Sequence, residues 1–246
     1  MDSNLSKQTA KHCAAMFFGS FLDLGHKGSA DYIIAQGTMT FIRYKERCFG
    51  ITNKHVIENK HAAQISDPVF HLGLYRHTPF PMPRRPFFMS SESDPDCPYD
   101  IAIFLLTEEI ISAILHSHKE FIELERHSTT ILEGDQGLVV GFPGHKRAKR
   151  NGGIMAHPLN HVVASCRGVS DRQIIFQDEV QQDLSNVDFG GMSGGPIFKL
   201  CSPSEYQFIG ILSNASNPQG SQAIWLKGFP FGPSLMDYIL TTTQPL

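Results

Sequence analysis

Short apolar runs separated by turn-forming residues dominate this chain. Gly37-Thr38-Met39-Thr40-Phe41-Ile42-Arg43-Tyr44 and Cys48-Phe49-Gly50-Ile51-Thr52 are rich in β-branched and aromatic residues and read as strands. The polar turn Lys45-Glu46-Arg47 between them predicts a hairpin, and Ile33-Ile34 marks a shorter strand before it. Tyr99-Asp100 opens another apolar strand over 101–106. Beyond Gly134-Asp135 the same texture returns at 136–142, 158–166, 173–176, 196–200, 207–213 and 223–226. Helical spacing is predicted in three places. Residues 5–24 place Ala14, Ala15, Phe17, Phe18, Phe21 and Leu22 on one broad side. Residues 107–126 repeat Ile110, Ile111, Ile114, Leu115, Phe121, Ile122 and Leu124 against a charged side. Residues 233–241 form a short terminal helix after Pro233. Pro79, Pro81, Pro83 and Pro86 argue against regular structure between the early strands. The expectation is an all-β fold with a few short helices.

Composition narrows the class. A chain of 246 residues makes one large domain or two small ones, and 41% hydrophobic with 18% charged residues suits a sizeable core. The formal net charge of −3 gives no general attraction to nucleic acid or membrane surfaces. The basic stretch His145, Lys146, Arg147, Lys149 and Arg150 therefore reads as a solvated loop. No stretch approaches the ~20 apolar residues of a membrane span, and residues 1–25 lack a signal-peptide layout. The five cysteines, Cys13, Cys48, Cys97, Cys166 and Cys201, are scattered and form no C-x-x-C pair. Free thiols in a reducing, cytoplasmic setting are expected. His61, His71 and His77 share no metal spacing, and His116 and His118 cannot face the same way on a helix. No metal and no cofactor is expected.

The chemistry concentrates at Gly190-Gly191-Met192-Ser193-Gly194-Gly195-Pro196. Serine alone is a weak nucleophile and needs activation, and the N–H groups of Gly191 and Ser193 are placed to share one oxyanion. A glycine-rich turn that merely contains a serine is the plain alternative. Chain order discriminates among known serine chemistries. The α/β-hydrolase order needs a histidine after the serine, and none occurs after His161. The subtilisin order needs an aspartate before the histidine, and neither Asp23 nor Asp31 ends an apolar strand as Asp100 begins one. The order His55, Asp100, Ser193 remains.

Three segments carry a resemblance: Gly50-Ile51-Thr52-Asn53-Lys54-His55-Val56-Ile57, Asp100-Ile101-Ala102-Ile103-Phe104 and Gly191-Met192-Ser193-Gly194-Gly195-Pro196. Together, over roughly residues 33–228, they resemble trypsin-like (chymotrypsin-fold) serine proteases, nearest to bacterial Htr-like stand-alone peptidases without a PDZ domain. The resemblance implies two antiparallel six-stranded β-barrels with the site between them. It implies a helical extension over 1–27, a first barrel over 28–126 with the 107–126 helix inserted, and a second barrel with the terminal helix over 127–246. His55 would be general base then acid, Asp100 its orienter and Ser193 the acyl-forming nucleophile, with oxyanion donors at Gly191 and Ser193. Ser213 would lie near Asp100, and Ser213, Asn214 and Ala215 would pair with a protein or peptide substrate as an added strand. Val187 and Asp188 fall at the specificity pocket. Asp188 would favour basic residues at the cleaved bond, or Val187 would make a small apolar pocket. The family's disulfides are absent, and activation by insertion of a new N-terminus is not expected. Two further readings stay open: an idle peptide-binding module, and a latent form switched by a regulatory partner.

Overall fold

The alternating strands resolve into two β-units that share one apolar seam. The computed structural model describes residues 3–20, 34–58, 68–74, 79–83, 85–90, 96–127, 130–143, 148–150, 154–156, 159–178, 190–202, 204–216 and 223–243. The first unit contains β1 (Cys13–Ser20), β2 (Ile34–Tyr44), β3 (Arg47–Thr52), β4 (Pro68–Gly73), β5 (Pro79–Pro81), β6 (Phe88–Met89), β7 (Ala102–Leu105) and β8 (Ile122–Glu123). They hydrogen-bond in the order β5-β4-β1-β2-β3-β7-β6, with β8 beside β2. The predicted hairpin joins β2 to β3 through Lys45 and Glu46, whose positive φ values of 47° and 63° match the right-handed twist of the strands.

The second unit contains β9 (Gln136–Gly141), β10 (Ala148–Arg150), β11 (Ile154–Ala156), β12 (Asn160–Val169), β13 (Ile174–Asp178), β14 (Pro196–Ser202), β15 (Glu205–Ser216) and β16 (Ile224–Pro230). Six of these close a barrel in the order β12-β13-β16-β15-β14-β9, and β10 and β11 pair separately. Lys149 and Arg150 of the expected basic loop therefore lie in a strand, its backbone hydrogen-bonded to β11, while His145, Lys146 and Arg147 lie outside the described residues. The helices are α1 (Ser3–Ala10), α2 (Lys54–Ile57), α3 (Glu108–His116) and α4 (Pro233–Thr242).

Several local expectations change. The helix over 5–24, and with it the helical extension over 1–27, gives way to α1 followed by β1, which sits inside the first sheet between β4 and β2. The reason is two-sided burial. Ala14 and Met16 enter the core of the first unit, while Ala15 and Phe17 pack on Phe142. With both faces apolar, the two-residue period disappears and the run mimics a helix. The helix over 107–126 ends at His116, and His118 turns with φ 59°. Ile122 then pairs with β2, and Leu124–Arg126 make a single 3₁₀ turn. The first unit is a curled sheet of eight strands, an open half-barrel beside the closed second barrel, and the pair matches the expected double-barrel architecture. Pro79 and Pro81, expected to exclude regular structure, instead form the edge strand β5 beside β4, where residues with no N–H are tolerated because nothing further has to pair with them.

Each central strand buries both faces. Met39 and Phe41 fill the first unit, whereas Ile42, Tyr44, Phe49 and Ile51 face the seam. Val139, Ile197, Ile209 and Leu212 fill the second barrel, whereas Leu138, Val140, Phe198, Phe208 and Ile211 face the seam. Met236 and Ile239 of α4 and Leu5 of α1 close it. A fully buried Phe or Ile contributes about 2 kcal/mol, while an exposed ion pair such as Lys11–Glu120 contributes below about 1 kcal/mol. The seam, not the surface charges, joins the units.

Three histidines lace the N-terminal segment and the seam. His12 Nδ1 donates to the Glu120 carbonyl at 3.2 Å, and its Nε2 accepts from the Tyr206 hydroxyl at 3.1 Å. His161 Nε2 donates to the Ser6 carbonyl at 3.0 Å, and His127 Nδ1 accepts from the Phe208 N–H at 3.1 Å. Burial holds the pKa of all three below the usual 6.5, and for His12 it outweighs the Glu120 carbonyl and carboxylate. These rings stay neutral in the fold while the unfolded chain protonates below pH 6.5. Their contribution is complete above pH 6.5 and is lost as pH falls toward the folded values. The thermal midpoint is therefore expected to drop between pH 7.5 and 5.5, with a smaller drop in His161→Gln, as measured by circular dichroism melts.

Candidate active site

The pairing of β3 with β7 assembles the first half of the site. Thr52 lies opposite Ala102, so the residues just after β3 run beside those just before β7. Asn53 leads into the single turn of α2, and its side chain makes no capping bond there. Its Nδ2 instead donates to the Asp100 carbonyl at 2.8 Å. Asp100 Oδ1 accepts the His55 N–H at 3.0 Å, and Oδ2 bonds His55 Nδ1 in a short contact. The backbone N–H of Lys54 also favours the charged form of this carboxylate. With Nδ1–H committed to Asp100, His55 Nε2 is the ring's remaining acceptor. Burial pushes the Asp100 carboxyl up, but the His55 ring and the two backbone N–H groups outweigh it and hold it below its usual 3.8.

Ser193 arrives from the other unit. Its loop is tied down by backbone bonds: Gly194 N–H to the Leu212 carbonyl at 2.8 Å, Gly195 N–H to Met192 at 3.0 Å, and Leu212 N–H to Gly195 at 2.9 Å. Strand β2 grips it from across the seam. Thr38 N–H donates to the Ser193 carbonyl at 2.8 Å, Thr38 Oγ1 to the Gly191 carbonyl at 2.8 Å, and Thr40 Oγ1 to the Gly194 carbonyl at 2.8 Å. Gly194 permits this approach, since its φ is +87° and a Cβ there would lie 2.1 Å from the Thr38 carbonyl oxygen. Gly37 brings the halves together, because a Cβ on it would meet both Val56, next to His55, and the Ser193 carbonyl oxygen at 3.2 Å.

The Ser193 hydroxyl donates to the Ser213 carbonyl at 3.1 Å. Ser213 is the bulged residue of β15, between Leu212 and Asn214 in the pairing with β16. Its own hydroxyl donates to the Lys227 carbonyl at 3.0 Å. Asn214 and Ala215 pair with Lys227 and Leu226 on one edge, while the ladder with β14 stops at Ile211. The other edge of 213–216 is thus open to an added strand among the described residues. Gly191 has φ 97°, and neither its N–H nor that of Ser193 has an acceptor among the described residues. Val187 and Asp188 lie outside the described residues, as do His61 and His77. Among the described residues no three acidic, histidine or cysteine side chains gather to hold a metal. Sequence reasoning missed Asn53, Thr38 and Thr40, which look like ordinary polar residues of a loop and a strand.

Two outcomes follow. Asp100 contributes stability above pH 3.8 that is lost as pH falls below it through the lower folded value, so the gap in thermal midpoint between the wild type and Asp100→Asn is expected to close between pH 6 and pH 3. Gly194→Ala forces a Cβ into the Thr38 carbonyl at an unfavourable φ, and denaturant titration is expected to show a loss of about 2 kcal/mol or more.

No protein-family model matches the sequence. No curated protein matches it. Solved structures match over nearly the whole chain. Human heparin binding protein is similar with a TM-score of 0.56 at 14% identity, covering 96% of this chain and 94% of its own. Neuropsin, a serine protease expressed in the limbic system of mouse brain, gives 0.55 at 13% identity, covering 98% and 96%. At such identities the likeness speaks for architecture alone: the chain has the double β-barrel fold of trypsin-like serine proteases.

Proposed function

We propose that the chain is a serine endopeptidase that cleaves peptide bonds through an acyl-enzyme. The observation that carries this reading is the grip of the Asp100 carboxylate on both the ring and the backbone N–H of His55. An orienting carboxylate fixes the tautomer that makes Nε2 a base and stabilises the imidazolium that forms. In the reaction, Ser193 Oγ attacks the substrate carbonyl as its proton passes to His55 Nε2. The tetrahedral oxyanion is met by the N–H groups of Gly191 and Ser193. His55 then gives the proton to the leaving amine, and water, deprotonated in turn by His55, releases the acid.

The substrate reading follows from the open edge of β15. An extended peptide laid along Ser213, Asn214 and Ala215 would donate a backbone N–H to the Ser213 carbonyl. That carbonyl holds the Ser193 hydroxyl in the substrate-free chain, so an incoming peptide would displace the hydroxyl toward His55. The same bond supports the second reading, a latent form in which the nucleophile stays parked until a regulatory partner or ligand reshapes the site. The Htr-like subtype and a reducing, cytoplasmic home belong to the same proposal. They are supported by the three motifs and by five cysteines that form no disulfide.

A fluorophosphonate probe tests the reading. The wild type is expected to be labelled at Ser193 and Ser193→Ala not at all. His55→Ala and Asp100→Ala are expected to lose on the order of 10⁴ in peptide cleavage rate. Labelling that survives Ser193→Ala would overturn the assignment, and a wild type that labels only after addition of a binding partner would select the latent form.

A further inference from the structure

The oxyanion loop is held by a residue of the opposite sheet that no motif marks. Thr38 is fully buried, and each of its polar groups has a partner. Its hydroxyl donates to the Gly191 carbonyl at 2.8 Å and accepts the Phe142 N–H at 3.1 Å. Its N–H donates to the Ser193 carbonyl at 2.8 Å, and its carbonyl accepts the Thr52 hydroxyl at 2.9 Å. One residue of β2 thus grips the carbonyls on both sides of Met192, whose side chain is itself fully buried in the second barrel.

That placement matters because of what it leaves over. Gly191 has φ 97° and no side chain to hold it. The anchored carbonyls fix the 191–192 and 193–194 peptide planes, which adjoin the Gly191 and Ser193 N–H groups on their C-terminal sides, and neither N–H has an acceptor among the described residues. Donors aimed at a developing charge help only if they are aimed beforehand, since reorganising them in the transition state consumes the gain. A hydroxyl is required at 38: an aliphatic side chain of the same shape would leave both the Gly191 carbonyl and the Phe142 N–H unpaired in a dry site.

We propose that Thr38 is the positioning residue of the oxyanion loop, holding the Gly191 and Ser193 donors in place from across the seam. The inference deepens the hydrolase reading and rests on it. Thr38 does not touch substrate, so its loss is expected to act on turnover rather than on binding.

The test compares Thr38→Val, Thr38→Ala and Thr38→Ser in the full chain. Thr38→Val, or Thr38→Ala should the valine variant not fold, is expected to lower kcat roughly ten- to hundredfold. KM is expected to stay within about threefold, and the pH profile of kcat/KM to keep its shape because His55 and Asp100 are untouched. Thr38→Ser, which keeps the hydroxyl, is expected to recover most of the rate. A folded Thr38→Val or Thr38→Ala with wild-type kcat overturns the proposal, as does a variant whose loss lies wholly in KM. Amide hydrogen exchange over residues 190–195 separates this proposal from the hydrolase reading. Faster exchange in Thr38→Val and Thr38→Ala than in Thr38→Ser supports the anchor even if the wild type proves inert. Equal exchange in all three overturns it.

Discussion

The apolar seam between the two β-units is the constraint on which everything else rests. Ile42, Tyr44, Phe49 and Ile51 from one side meet Leu138, Val140, Phe198, Phe208 and Ile211 from the other. These strands have no solvent face to spare, because their alternate residues already fill the unit to which they belong. Sliding one unit against the other would expose side chains worth about 2 kcal/mol each, with no compensating burial elsewhere. The relative position of the units is therefore set before any polar contact is counted. His55 and Asp100 come from one unit and Ser193 from the other, so a site built from all three can be no more precise than the seam beneath it.

Hydrogen bonds refine what burial places. They lie where the seam reaches the serine loop, and they run mainly from threonine hydroxyls and strand amides to loop carbonyls. Each contributes only about 1 kcal/mol to stability, but each unpaired partner in this dry region would cost more. Their effect is directional: they choose one loop conformation among several that the glycines permit. The same logic governs Asp100 and His55. Asn53 gives up a capping role to tie its chain to the Asp100 carbonyl, and Asp100 gathers donors from the turn that carries His55. The Ser193 hydroxyl alone is left on a weak tether, a 3.1 Å bond to a carbonyl at the open edge of β15. A fixed His55–Asp100 pair with a movable hydroxyl suits the proposed site, one completed when a strand docks.

Much of this was legible along the chain. The strands of the second barrel show clean turn signals and apolar runs, and they form where expected with ends shifted by a few residues. Asp100 at the mouth of an apolar strand and His55 just past another were visible because β3 and β7 pair as neighbours. Other features were not. Strand β1 is apolar on both faces and so carries no period. The helix after Thr107 stops at Ser117 although apolar residues continue, because Phe121, Ile122 and Leu124 are buried as extended chain and turn.

The sequence by itself determined which residue types could do chemistry and which short segments would be strands, since both depend on local pattern and residue inventory. Only the tertiary structure decided who bonds to whom. The Thr38 hydroxyl finds the carbonyl of Gly191 153 residues away, and the Ser193 hydroxyl finds Ser213 rather than His55. The Ser213 hydroxyl turns to the Lys227 carbonyl. A polar side chain has many acceptors of equal appeal along a chain, and burial of the surrounding strands selects one by removing water and the rest.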